Sequence, residues 1–193
     1  STQGVSSAAS DVYKRQVNAS SKAAQFIFTR NSNGQWIISS AWDSRYVFDL
    51  NGAKLDNGNK VQIYTQNGTS AQAWKLLKVS NSREEIDDLA QKNKNTLADG
   101  TYTINSTLNT SYVLDVNGGS KVNFGNIQLY QSNGTLAQGW KVSHDSKGYV
   151  TFINIGSGKA IDVKDGSAYN GQNISQYTSC LLYTSDAADD TPC

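Results

Sequence analysis

The chain is predicted to be all-β and built on a threefold repeat. Three observations predict this. First, residues 46–76, YVFDLNGAKLDNGNKVQIYTQNGTSAQAWKL, recur without a gap as residues 112–142, YVLDVNGGSKVNFGNIQLYQSNGTLAQGWKV, each position 66 residues from its counterpart. A third copy, KAIDVKDGSAYNGQNISQYTS, starts at Lys159 and stops before its tryptophan. Second, apolar residues alternate with polar ones, as strands require when successive side chains point to opposite faces. Third, Asn and Gly clusters separate the runs and supply the positive φ that tight turns need. No copy contains two full amphipathic helical turns.

Within one copy, the strands are predicted at Thr101–Ile104, Val113–Val116, Ile127–Gln131 and Gly139–Val142. Leu114 and Val116 face inward and so turn Asp115 away from the core; Phe48 and Leu50 do this for Asp49, and Ile161 and Val163 for Asp162. In Ile127-Gln128-Leu129-Tyr130 the aliphatics share one face, and Gln128 and Tyr130 the other. Gln62 and Tyr64 repeat this between Val61 and Ile63. Trp140 and Val142 share the buried parity with Gln138, as Trp74 does with Gln72. Each copy thus offers an outward Asp, Gln and Tyr, and an inward Gln and Trp.

Taken from the N-terminus, residues 22–28 are the tail of a repeat with Phe26 at the tryptophan position, and Trp36 to Leu77 is a complete repeat. Residues 79–98 are an insertion. Ser82-Arg83-Glu84-Glu85 reads as a capping box, and Ile86 and Leu89 follow at helical spacing, so a short helix is expected near 83–92. The sequence therefore suggests the end of one domain (17–78), a linker (79–98) and the start of a second (99–179). The pieces also fit a single closed, circularly permuted domain in which residues 24–28 pair near 173–178. Closure is favoured because open repeats leave apolar faces and strand edges in water. Residues 1–16 and 180–193 resemble one translated sequencing-library adaptor read in its two directions, and are set outside the fold.

Those ends hold both cysteines, Cys180 and Cys193, and the only proline, Pro192. The remaining segment has no disulfide framework. It carries 15 basic and 12 acidic side chains, without the basic stripe that nucleic acid requires. No apolar run is long enough to cross a membrane as a helix. His144, the single histidine, falls in the polar stretch HDSKG and is expected at the solvated surface. No metal site or cofactor is expected. Glu84, Glu85, Asp87 and Asp88 read as a solvated helix face.

The combination of Asp, a Gln-x-aromatic strand and Gln-x-Trp resembles the ricin B-type lectin family, the QxW β-trefoils. The bacterial branch is the nearer likeness, through DGTYTI at 99–104, VLDV at 113–116, IQLY at 127–130, SNGT at 132–135 and AQGW at 137–140. The resemblance implies a β-trefoil with shallow sugar pockets on the outside. There the Asp accepts hydrogen bonds from neighbouring hydroxyls, the aromatic stacks on the pyranose, and the Gln beside the aromatic and an Asn just before the Gln of Gln-x-Trp complete the pocket. Position by position, it implies one site at Asp115, Gln128, Tyr130 and Gln138. A second falls at Asp49, Gln62, Tyr64 and Gln72. A poorer third keeps Asp162 and Tyr177 but has Ser175 in place of Gln. Ala71 and Ala137 stand where the family has Asn, with Asn67 and Asn133 nearby to compensate. Trp74, Trp140 and Phe26 are read as structural core. The implied role is weak, multivalent binding of glycans, galactose-type or other pyranoses, without catalysis in this segment. The implied setting is a secreted or cell-surface bacterial protein with tethered neighbouring domains. The competing reading is a trefoil that binds no sugar and serves as a spacer or protein-docking unit. A propeller would need more repeats than are present.

Overall fold

The computed structural model describes residues 22–79, 97–166 and 168–179; the helix expected near 83–92 and both terminal segments lie outside them. The strands are β1 (Phe26–Arg30), β2 (Trp36–Ser40), β3 (Tyr46–Leu50), β4 (Asn59–Thr65), β5 (Trp74–Lys78), β6 (Gly100–Ser106), β7 (Tyr112–Val116), β8 (Ile127–Gln131), β9 (Trp140–His144), β10 (Val150–Asn154), β11 (Ala160–Val163) and β12 (Gln172–Tyr177). All pairings between them are antiparallel.

Six strands close into a ring in the order β1-β2-β5-β6-β9-β10, with β10 returning to β1 through Phe26 opposite Val150. Closure removes the edges that an open sheet would expose. The hairpins β3–β4, β7–β8 and β11–β12 form a cap over one end. They pair with one another in a triangle, β4 with β8, β12 with β4, and Asn126 of the β7–β8 loop with Ser175. This barrel with a threefold cap is a β-trefoil. Its third unit is β10, β11, β12 and β1, so the N-terminal strand completes the C-terminal repeat and the trefoil is closed and circularly permuted. The position of β1 corrects one detail of the sequence reading. Residues 26–30 pair with β10 and β2, not with 173–178. The fourth strand of a unit belongs to the barrel, whereas the third belongs to the cap.

Side-chain alternation places the core as expected. Trp74, Trp140 and Phe26 are 0% exposed and occupy equivalent positions on β5, β9 and β1. Each faces a partner on the first strand of its own unit: Trp36, Tyr102 and Val150 respectively. Trp74 Nε1 donates to Phe48 O (3.3 Å) and Trp140 Nε1 to Leu114 O (3.2 Å), which satisfies the indole N–H of each buried ring. Phe26 has no N–H and instead packs edge-on against Phe48 at 4.9 Å.

The cap hairpins are joined by three equivalent loops. Gly58 N donates to Leu129 O, Gly171 N to Ile63 O and Phe124 N to Gln176 O. The residue before each supplies a side-chain acceptor for the same neighbouring strand: Asn57 Oδ1 for Gln131 N, Asn170 Oδ1 for Thr65 N, and Asn123 Oδ1 for Thr178 N. All three loop residues have positive φ, +84° at Gly58, +85° at Gly171 and +65° at Phe124. Only the third is not glycine.

Candidate functional site

The β7–β8 register sets Asp115 opposite Gln128 and Val113 opposite Tyr130. Asp115 is turned off the barrel core as its parity requires, yet it is only 5% exposed. Two amides hold it. Gln128 Nε2 donates to Oδ1 at 3.0 Å, and Gln138 Nε2 to Oδ2 at 3.1 Å. Gln138 sits on a short 3-10 turn, Leu136–Gln138, just before β9. Its amide also donates to Gln131 O (3.0 Å), and its Oε1 accepts from Asn133 N (2.8 Å). Repeat one duplicates the set. Gln62 and Gln72 donate to Asp49 at 2.9 and 3.1 Å, and Gln72 bridges Thr65 O and Asn67 N.

These bonds alter the picture drawn from strand parity. Asp115 lies on the floor of a cleft and Asp49 is buried to the same degree; neither projects from the surface. Gln72 and Gln138 are tethers whose amide groups are used within the protein, so they position the carboxylate and the following loop. Each carboxylate oxygen still has a lone pair beyond the one its amide takes. The floor can therefore accept two more hydrogen bonds from a ligand.

A cleft of about 450 Å³ opens over Asp115. Gln128, Tyr130, Asn117, Gly118, Asn133 and Ala137 help to line it. Asn133 is where the sequence placed a compensating amide, whereas Asn117 and the Gly118 turn were not assigned to the site from sequence. The spacing of Asn-Gly after the Asp strand was the available signal. Thr135 N and Oγ1 both donate to Asn133 Oδ1, which fixes the amide orientation. Among the described residues, the Asn133 Nδ2 donor and the Tyr130 hydroxyl have no hydrogen-bond partner. Asn67 is held the same way by Thr69. Tyr130 is half-buried, and Tyr64 is 37% exposed. Burial pushes the Asp115 carboxyl up from the ordinary carboxylate value, and the two amide bonds partly oppose it.

The third unit is different. Asp162 and Tyr177 are both buried. Ser175 faces Asp162 in the ladder where the other units have Gln62 and Gln128, and its Oγ is buried without a partner. Ala24, on the short turn Lys22–Ala24, stands two residues before Phe26 as Gln72 and Gln138 stand before their tryptophans. This unit therefore has neither of the two glutamines. A buried hydroxyl with no partner costs roughly 1–3 kcal/mol. Ser175→Ala is expected to leave stability unchanged or raise it by about 1 kcal/mol, read as the urea midpoint at constant m-value. A clear loss would mean that the hydroxyl is engaged.

His144 is not in a solvated turn. It is the last residue of β9, half-buried, with Nδ1 2.7 Å from Asp99 Oδ1. Asp99 also accepts from the His144 backbone N–H, so the pair fastens β9 to the segment entering β6. Among the described residues no group of three His, Cys, Asp or Glu is placed to hold a metal ion, and no helix is long and apolar enough to cross a membrane.

The family model "Ricin-type beta-trefoil lectin domain-like" matches residues 89–177. No curated protein matches the chain. Among solved structures, the chain is similar to ThreeFoil, a designed threefold-symmetric protein. That match has 23% identity and a TM-score of 0.63, and covers 75% of this chain and 89% of that one. It is also similar to an exo-beta-1,3-galactanase from Clostridium thermocellum, at 24% identity and a TM-score of 0.58, covering 82% of this chain and 28% of that one. A third is the Polyporus squamosus lectin, at 13% identity and a TM-score of 0.54, covering 81% and 44%. The chain thus spans less than half the length of the last two. These likenesses speak to fold, and the fold agrees with the family match. The chain is a β-trefoil, and over residues 89–177 it matches the ricin-type β-trefoil lectin-like family model.

Proposed function

We propose that this trefoil is a carbohydrate-binding, lectin-type module that holds pyranose sugars, galactose-type first among them, in the Asp115 and Asp49 pockets without catalysis. One observation carries the reading. The same acid, two amides and a surface tyrosine are assembled twice, with identical bonding, 66 residues apart. Vicinal hydroxyls of a sugar would donate to the free lone pairs of the carboxylate. The apolar face of the ring would lie on Tyr130 or Tyr64. The unused Asn133 and Asn67 amides would take over the contact that Ala137 and Ala71 cannot make. Each pocket is shallow and its binding weak, and two pockets on one chain gain through effective concentration. The Polyporus squamosus lectin is described as bound to a sialylated galactose-containing epitope, which favours a sugar over a protein partner. A module of this size suits a longer secreted or cell-surface bacterial protein with tethered neighbouring domains; the match to the galactanase covers 28% of that longer chain.

The test is a glycan array with the full chain and with Tyr64→Ala/Tyr130→Ala. Loss of both stacking faces is expected to lower the signal of the best glycans about tenfold, equivalent to about 1.4 kcal/mol. Equal signals from both proteins, or none from the wild type, would favour the spacer or protein-docking reading.

A further inference from the structure

We propose that Phe124 closes the third pocket, so that the chain presents two sugar sites and not three; this rests on the sugar-binding reading above. The cap loops explain how. Gly58, Phe124 and Gly171 are equivalent residues, each hydrogen-bonded to the neighbouring hairpin. Each loop borders the pocket of that neighbour. A Cβ placed at Gly58 would come within 3.6 Å of Gln128 Oε1, and one at Gly171 within 3.7 Å of Gln62 Oε1. Glycine therefore leaves space beside the Asp115 and Asp49 pockets. At the third position the chain carries a phenyl ring instead. It lies 5.1 Å, centroid to centroid, from Tyr177 and is tilted by 58°. Tyr177 is the counterpart of the stacking tyrosines Tyr64 and Tyr130 by ladder register: it faces Ala160 as they face Val47 and Val113.

The backbone makes the substitution conspicuous. A bulky residue at φ +65° is an outlier that persists only where its surroundings hold it. Here the ring is 50% exposed, so core packing alone does not account for it. The loop's backbone bond to Gln176 O sets the same positive φ that Gly58 and Gly171 adopt, and it brings the Phe124 ring against Tyr177. The ring occupies the face on which a pyranose would stack, in the one unit that also lacks both amides, at Ser175 and Ala24. Phe124 is therefore a specificity-determining residue that acts through Tyr177 and sets the valence of the module.

Two measurements decide this. In the first, the wild-type chain is titrated with methyl β-galactoside, methyl β-glucoside and methyl N-acetylgalactosaminide, with stoichiometry from calorimetry and sites from backbone amide shifts. Two sites are expected, around Tyr64 and Tyr130. The variant Ala24→Gln/Ser175→Gln restores the amides and is expected to remain at two. Adding Phe124→Gly is expected to give a third site at Tyr177, with affinity within about tenfold of the others. A third site in the wild type or in the double variant, or none in a folded triple variant, would overturn the proposal. The second measurement needs no sugar. Nitration of Tyr177 by tetranitromethane, read by peptide mass, is expected to rise several-fold in Phe124→Gly, with Tyr64 unchanged. Unchanged nitration of Tyr177 would overturn it independently. If the wild type binds none of the three glycosides, the sugar reading fails, and nitration still decides whether Phe124 covers Tyr177.

Discussion

Asp49→Ala combined with Asp115→Ala is expected to abolish sugar binding. Each acid is assigned two ligand hydroxyls, and a hydrogen bond to a charged group contributes roughly 1.5–3 kcal/mol. Loss of both bonds at a site should weaken it by a hundredfold or more, on the order of 3 kcal/mol. The double variant should also be less stable. Gln62 and Gln128 lose the acceptor for one amide hydrogen each, and Gln72 and Gln138 lose one of their two. An orphaned buried donor costs about 1–3 kcal/mol, toward the low end where a cleft admits water. Asp115→Asn separates the two effects. It keeps the volume and gives an acceptor to one glutamine, but sets its own amide donors against the other. Near-complete loss of binding at that site with a smaller loss of stability is expected, measured by calorimetry and urea unfolding together. The pH dependence follows from the same burial. The folded-state value of Asp115 is raised, so the folded protein takes up its proton at a higher pH than the unfolded chain does. Protonation therefore favours folding, and this contribution is lost as pH rises through the folded value. Binding runs the other way. It requires the carboxylate and should fade as pH falls through that raised value, before an ordinary aspartate would titrate.

Trp140→Ala should produce the largest loss of stability. The ring is fully buried in the barrel, and deleting such a side chain costs about 3–5 kcal/mol. The Leu114 carbonyl would lose its donor as well. Domains of this size are stable by only about 5–15 kcal/mol, so the variant should unfold at a much lower urea concentration or fail to fold. Trp140→Phe is the informative partner, because Phe26 shows that a phenyl ring serves at the equivalent position. Its expected cost is about 1–2 kcal/mol, from the lost hydrogen bond and part of the ring. Alanine with a wild-type midpoint would show that the three equivalent aromatics do not share one core.

Strand parity and the repeat register carried most of the fold. Once Leu114 and Val116 were placed inward, the positions of Asp115, Gln128, Tyr130 and Trp140 followed, because period-two alternation leaves little choice. The tethering role of Gln138 was not legible in the same way. It shares the buried parity of Trp140, which says where it lies but not what it binds, and its partners Asp115 and Gln131 are brought to it by the 3-10 turn. The placement of β1 beside β10 depended on knowing which strand of a unit enters the barrel, and short apolar runs do not reveal that. Phe124 was hidden because its meaning lies in a loop alignment. Only when Gly58, Phe124 and Gly171 are superposed does one residue stand out.

The measurement that bears most directly on the whole account is a crystal structure of the chain with the glycoside that ranks highest on the array. The expected result is one sugar over Tyr64 and one over Tyr130, each with two adjacent hydroxyls within 3.2 Å of the Asp49 or Asp115 carboxylate (the ordinary hydrogen-bond range). Sugar bound elsewhere, with both carboxylates contacted only by their glutamines, would contradict it.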